Sequence, residues 1–263
     1  MNFADIGPQD TLALIITALT GAAVGSFLSL ITYRMPRELD TVVSRSRCTH
    51  CSRSLSLRDL IPVFSWLLAR GKCRGCDNPI GLRYPLIELA CALGTVALVL
   101  QFGFTLQALA LTGLWWSVVA LIVTDLEHYI ILDEVQIAAA LFGALYVYAT
   151  GMHWLAPAIA AISGVILGLL LKYGFLWCCN KDGLGMGDVK FLGVAGIWLS
   201  DAANFIPFLF FAGLLGIFSG IVWRVLQRGE QFPFGPALAM SLLLCVLFPA
   251  APNGFWQLYG VVR

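Results

Sequence analysis

Two carboxyl groups and four thiols stand out in this sequence as groups able to do chemistry. Asp125 closes the apolar run ALIVTDLEHYIILDE, and Asp188 follows the glycine-rich Gly183-Leu184-Gly185-Met186-Gly187. An ionised carboxylate at membrane depth is costly and is usually retained for a function. A pair suits water activation: one ionised Asp takes a proton from water while a protonated Asp polarises the carbonyl. A peptide bond can then be hydrolysed without a metal or a nucleophilic side chain. Close placement makes the first proton leave easily and the second reluctantly. Glycines before Asp188, Gly185 and Gly187 above all, would let an extended substrate backbone approach. The same residues also fit a plainer arrangement, in which a glycine-rich turn, a helix-capping Asp and an interfacial Asp at another helix end have no joint task.

The thiols form two C-x2-C knuckles, Cys48-Thr-His-Cys51 and Cys73-Arg-Gly-Cys76, separated by 21 residues. Four thiolates can close a tetrahedral zinc site, and each two-residue spacer lets neighbouring sulfurs reach one ion while the backbone turns. Two disulfides are the alternative, disfavoured if the segment faces a reducing cytosol. His50 could replace a sulfur, though the four thiols suffice. Cys91, Cys178, Cys179 and Cys245 lie in or beside apolar runs and are expected to pack as small apolar residues.

The elements that must position these groups are membrane helices. Of 263 residues, 59% are hydrophobic and 12% charged, against about 25% charged in a soluble domain. The 16 basic and 15 acidic residues nearly cancel, which argues against a nucleic-acid binder. Charge and turn punctuation predicts an all-α polytopic membrane protein with about eight transmembrane helices, near 11–33, 85–102, 106–124, 134–150, 154–171, 188–200, 205–223 and 235–256. The span at 188–200 is short enough to need a tilt or partial burial in protein. The first ten residues carry Asp5 and Asp10 and no Lys or Arg, so the first apolar stretch is expected to stay rather than be cleaved as a signal.

Ten of the 16 basic residues lie between Arg34 and Arg83; Lys172, Lys181, Lys190, Arg224 and Arg228 fall on the same side if there are eight spans, with Arg263 opposite. The positive-inside rule then makes 34–84 a cytoplasmic insert and puts both termini outside. Three regions follow: a periplasmic N-terminus and first helix over 1–33, a four-cysteine zinc-binding insert over 34–84, and a seven-helix membrane domain over 85–263. Within the insert, Asp59-Leu-Ile-Pro-Val-Phe-Ser-Trp-Leu-Leu is too short to cross a bilayer and rich in large apolar groups, so its expected place is the membrane surface. Zinc would staple an insert that has too little core to fold alone.

These residues carry a resemblance. GSFLSLITYRMPR at 25–37, the doubled knuckle, IPVFSWLLARGKCRGC at 61–76, GLRYPLIEL at 81–89, GLGMGDVKFLG at 183–193 and FPFGPALA at 232–239 together resemble the bacterial prepilin peptidases, intramembrane aspartyl proteases bearing a GxGD motif. The resemblance implies an inner-membrane enzyme that removes the leader of type IV prepilins or type II secretion pseudopilins at the cytoplasmic face. It also implies methylation of the new N-terminal amine with S-adenosylmethionine. It makes Asp125 and Asp188 the catalytic pair and gives Cys48, Cys51, Cys73 and Cys76 the metal positions. One departure is Leu132, where the family commonly has Pro before the residue equivalent to Asp133.

Further expectations concern the surroundings. Asp133 and Glu134 should cap the following helix, while Glu127 and His128 face solvent or headgroups. Asp188 precedes a helix and Asp125 ends one, so helix dipoles favour Asp188 as resting base and Asp125 as acid. No strand with a G-x-G-x-x-G turn appears, so a methyl-donor site must be unconventional; Arg83 and Glu88 are candidates, with snorkelling the alternative. Phe234-Gly235-Pro236 is a candidate cradle for an unwound substrate. Pro236-Ala237-Leu238 also spells a motif of presenilin-like proteases, from which the Cys knuckles set this chain apart. A proton-coupled transporter with a zinc-bound insert would use two acids as well, but no doubled half-chain pattern marks inverted repeats.

Overall fold

The computed structural model describes residues 8–41, 45–180, 183–226 and 232–248. Asp5, Lys181, Arg228, Arg263 and the expected continuation of the last span over 249–256 lie outside them. The described residues are helical with no strand; isolated antiparallel bridges join Arg47 to Ser54 and Lys72 to Pro79. Among the described residues, eight helices of 13 residues or more stand near the eight expected positions: α1 (Pro8–Arg34), α3 (Arg83–Phe102), α4 (Leu106–His128), α5 (Asp133–Ala149), α6 (Leu155–Cys179), α7 (Met186–Leu199), α8 (Phe205–Val225) and α9 (Gly235–Leu247). A five-residue helix, α2 (Phe64–Leu68), lies in the insert.

Helices α1, α3, α4, α6 and α8 are long and apolar enough to cross a bilayer, and the chain is a polytopic membrane protein. Helices α5, α7 and α9 have 17, 14 and 13 residues. At 1.5 Å per residue, α7 covers about 21 Å of a hydrocarbon core about 30 Å thick. Its shortness is met by burial: Val189, Phe191, Leu192, Ala195, Trp198 and Leu199 are all enclosed.

Two helix ends differ from expectation. Helix α6 runs eight residues past the predicted 171, because Lys172 does not end the helix; it turns its ammonium to the carbonyl oxygen of Leu184 at 2.9 Å. Helix α4 continues one turn beyond 124, closing where Tyr129 adopts a left-handed φ of 57° and donates its N–H to the Asp125 carbonyl.

The chain divides into two compact units, Met1–Thr124 and Asp125–Arg263, with the boundary inside α4. In the first, α1 and α3 meet backbone to backbone. A Cβ at Gly21 would lie 2.9 Å from the Ala92 Cα, and one at Gly25 would lie 2.7 Å from the Glu88 Cα. Small residues permit this approach, which favours helix association in lipid. Arg83 fastens the start of α3 to the end of α1 through the Ser29 carbonyl at 2.9 Å and Thr32 Oγ1 at 2.8 Å. Buried hydroxyls such as Thr32 and Thr95 donate to carbonyls of their own helices, so they need no water.

In the second unit α7 is the hub, packed by α5, α6 and α9. Gly164 and Gly168 of α6 admit Leu192 and Val189, and Gly143 of α5 admits Trp198. The Trp198 indole N–H donates to the Ala139 carbonyl at 2.9 Å, and Ser241 joins α9 to the Phe208 carbonyl of α8.

Candidate functional site

Each aspartate is held by a backbone amide at the start of a helix. Asp188 is the third residue of α7, and its Oδ2 accepts the N–H of Gly185, the residue capping that helix, at 3.1 Å. Asp125, 6% exposed, lies in the last turn of α4, yet its Oδ2 accepts the N–H of Gly235, the first residue of α9, at 2.8 Å. The two carboxyl groups, 63 positions apart in sequence, are near enough that Asp125 acts electrostatically on Asp188.

This arrangement corrects one expectation. Asp125 does sit at the negative end of its own helix, but the positive end of α9 is also aimed at it. Both acids therefore meet a helix N-terminus, and the dipole argument no longer separates them. Asp125 is buried and Asp188 half-buried, and Lys172 of α6 reaches the turn just before Asp188 through the Leu184 carbonyl. Among the described residues, each acid has one oxygen engaged by an amide and the other uncommitted.

The glycines before Asp188 have packing reasons of their own. A Cβ at Gly183 would strike the Phe175 ring, one at Gly187 would lie 3.2 Å from Ile131 Cβ, and one at Gly185 would lie 3.2 Å from Asp188 Oδ2. Lys172 anchors the turn from outside through the Leu184 carbonyl. Phe234 and Gly235, expected as a cradle, form the start of α9. A groove of about 390 Å³ runs beside them, lined by Gly213, Gly216, Gly220, Arg224, Phe232 and Phe234.

Asp133 and Glu134 occupy the first turn of α5, but the capping residue is Leu132 and no side-chain cap is made. Asp133 instead receives Lys190 of α7 at 2.7 and 2.8 Å. Leu132 has φ −65° and ψ 133°, a backbone proline would also adopt, so its departure from Pro leaves the turn in the same shape. Glu127 and His128 approach each other at 3.9 Å at the end of α4.

Sequence reasoning missed three of these contacts. In the sequence Lys172 and Lys190 read only as charge markers, and Gly235 only as part of a helix break and candidate substrate cradle, not as a partner of Asp125. A Pro at the second position of α9 was the available signal for Gly235, since it marks a helix start with free amides.

In the insert, the Sγ atoms of Cys48, Cys51, Cys73 and Cys76 all lie within 4.8 Å of one another, and those of Cys48 and Cys76 are 3.9 Å apart. Zinc–sulfur bonds of about 2.3 Å place tetrahedral sulfurs roughly 3.8 Å apart, so the four can hold a metal ion. The two knuckles repeat one geometry. Cys48 and Cys73 each accept the N–H two residues on, and Ser52 and Asp77, four residues on, are both left-handed. The amides of Cys51 and His50 aimed at Cys48 pull its thiol down to about 6, towards the thiolate a metal needs. Asp59 links the knuckles: it accepts from Ser56 and pairs with Arg74 at 3.1 Å and Arg53 at 3.7 Å. The Ser56 amide and hydroxyl, with those two guanidinium groups, hold the Asp59 carboxyl below its ordinary range.

The fold and these sites define an all-helical membrane protein with two acids at helix starts and a thiol-rich insert. Comparison with known proteins matches residues 19–102 to the bacterial peptidase A24 N-terminal domain and residues 111–221 to the type IV leader peptidase family. Similar proteins carry the name prepilin leader peptidase/N-methyltransferase. One from Aeromonas hydrophila is 33% identical, covering 86% of this chain and 87% of the relative. One from Stutzerimonas stutzeri is 30% identical, covering 91% and 92%. One from Pseudomonas aeruginosa is 29% identical, covering 94% and 95%. No solved structure matches. The chain belongs to the type IV leader peptidase family, a family of aspartic proteases.

Proposed function

We propose that this protein cleaves the leader from type IV prepilins or pseudopilins at the cytoplasmic face of the bacterial inner membrane, with Asp125 and Asp188 as its catalytic pair, and then methylates the new N-terminal amine. The observation that carries the reading is the pair itself: two acids remote in sequence, each fixed through one oxygen by an amide at a helix start.

In the forward reaction Asp188, the more exposed acid and the one beside Lys172, removes a proton from water as the oxygen attacks the scissile carbonyl. The enclosed Asp125 gives its proton to the carbonyl oxygen, forming a tetrahedral diol. Breaking the C–N bond then returns one hydroxyl proton to Asp125, while Asp188 delivers its proton to the departing amine, so both acids end as they began. Gly235 and Gly185 keep the reacting oxygens pointed by holding the other two. The groove beside Phe234 suits the unwound stretch next to the scissile bond.

The thiol set favours zinc as the ion in the insert, in a structural role. Residues 34–84 form that cytoplasmic unit, with both termini periplasmic, and 85–263 carry the protease site. For methylation, S-adenosylmethionine supplies an electrophilic methyl group. Arg83 and Glu88, the candidates for its site, are already committed to Ser29, Thr32 and the Val63 amide. They do not fit as its cradle.

Incubating purified enzyme in detergent with a prepilin and S-adenosylmethionine, followed by mass analysis of the new terminus, tests both halves. Cleavage after the leader with one added methyl is expected. An intact prepilin would overturn the proteolytic reading, and an unmodified amine the methylation.

A further inference from the structure

The apolar run of the insert is far more exposed than a soluble loop would tolerate. Leu57 is 83% exposed, Phe64 59% and Leu68 76%, with Leu60, Ile61 and Leu67 also outward. These six fall within twelve residues, and Arg58, Arg70 and Lys72 stand exposed beside them. Contiguous apolar surface rimmed by charge marks an interaction site.

The position of this surface is fixed from two sides. The Val63 N–H, at the start of α2, donates to Glu88 Oε2 at 2.7 Å, and Glu88 is buried in the second turn of α3. Trp66, the middle residue of α2, donates its indole N–H to the Ile80 carbonyl at 3.0 Å, and its ring lies over Gly71. Val63 holds φ at 61°, a strained value for a β-branched residue, and the Glu88 bond secures it there. Helix α3 begins at Arg83 and is long and apolar enough to cross a bilayer. Glu88 is five residues further on, so the tie to Val63 falls about 7.5 Å along the span. Interfacial elements bury their apolar faces about 5–10 Å into the boundary between headgroups and acyl chains.

We propose that residues 57–68 are an interfacial wedge, inserted into the leaflet where α3 begins, with lipid acyl chains covering the six apolar side chains and anionic headgroups meeting Arg58, Arg70 and Lys72. The tie to a span argues for lipid over a second copy or a polypeptide, because it holds the apolar face at bilayer depth whether or not another protein is present. The knuckles then act as the rigid base of the wedge. Each of the three cations strengthens contact with an anionic surface by a factor of about five.

The test uses the full enzyme in nanodiscs of phosphatidylethanolamine and phosphatidylglycerol, with photoreactive p-benzoylphenylalanine at Phe64 or Leu68, and at His50 of the first knuckle as the control. Irradiation and mass spectrometry should give lipid adducts at 64 and 68 but not at 50, in protein that retains its bound metal. Adducts with a second polypeptide, no adducts, or equal lipid labelling at 50 would overturn the proposal. Replacing Arg58, Arg70 and Lys72 by Gln should lower the phosphatidylglycerol adducts at least about fivefold; an unchanged yield would overturn the headgroup contact. This outcome is independent of whether prepilin is cleaved.

Discussion

Replacing Gly196 by alanine should push α7 away from α6 and take Asp188 with it. A Cβ at Gly196 would lie 2.5 Å from both the Ala160 carbonyl carbon and the Ala161 nitrogen. Ordinary contact begins at 3.4 Å, so the helices must separate by about 0.9 Å, since backbone atoms cannot rotate aside. Overpacking of this kind costs about 1–3 kcal/mol of stability. The catalytic cost should be greater in effect, because Asp188 is eight residues along the same helix and a displacement near 1 Å can slow an oriented reaction about 10²-fold. Gly174 on α6 is the control: nothing lies within 4 Å of a Cβ there, and alanine should leave rates unchanged and add up to about 1 kcal/mol through helix propensity. Initial rates of prepilin cleavage and melting curves in detergent read both effects. A Gly196→Ala enzyme that matches wild type in rate and melting temperature would refute the close-packing argument.

Cys73→Ser should cost roughly a quarter of a binding energy of about 10–16 kcal/mol, weakening metal affinity about 10²-fold or more; competition with a chromogenic chelator measures it, and unaltered affinity would remove Cys73 from the ligand set. Asp59 is held below its ordinary range in the folded insert, so the stability it contributes is complete above the unfolded value near about 4. That contribution is lost as pH falls through the lower folded value. The difference in proteolytic resistance between wild type and Asp59→Asn should therefore vanish in strong acid, and a difference that persists there would contradict the assignment. The Asp133–Lys190 pair is half exposed or more at both ends, which limits it to about 0.2–1 kcal/mol. Each single alanine variant should keep cleavage within about fivefold of wild type, and a double-mutant cycle showing several kcal/mol of coupling would mean the pair is shielded from water.

The helices were legible because a run of about twenty apolar residues has one stable form in lipid. The five long spans follow from that reasoning, the three shorter helices from turn and charge punctuation, and the errors lie where a charge reads as a helix end. Lys172 does not stop α6, because a long aliphatic stem can carry an ammonium to a distant carbonyl. Asp133 does not cap α5, because Lys190, 57 positions away, is the better partner. The knuckles were legible from spacing alone, since two cysteines three apart can reach one ion only through a narrow set of turns. The amide of Gly235 on Asp125 spans 110 positions; Pro236 marks the helix start locally, but nothing local names Asp125 as its partner. It arises from tertiary placement of α9, and it adds the field of a helix start to that of the helix end on which Asp125 sits.

The central claim is that Asp125 and Asp188 together activate water and polarise the scissile carbonyl. Asparagine at either position keeps an oxygen able to accept the Gly235 or Gly185 amide, so the fold should survive while proton transfer fails. Single-turnover cleavage of a prepilin by Asp125→Asn and by Asp188→Asn, each purified from membranes and matched to wild type in melting temperature, measures this directly. The account predicts a loss of about 10²–10⁴-fold or more for each. Near wild-type cleavage by either variant would contradict it.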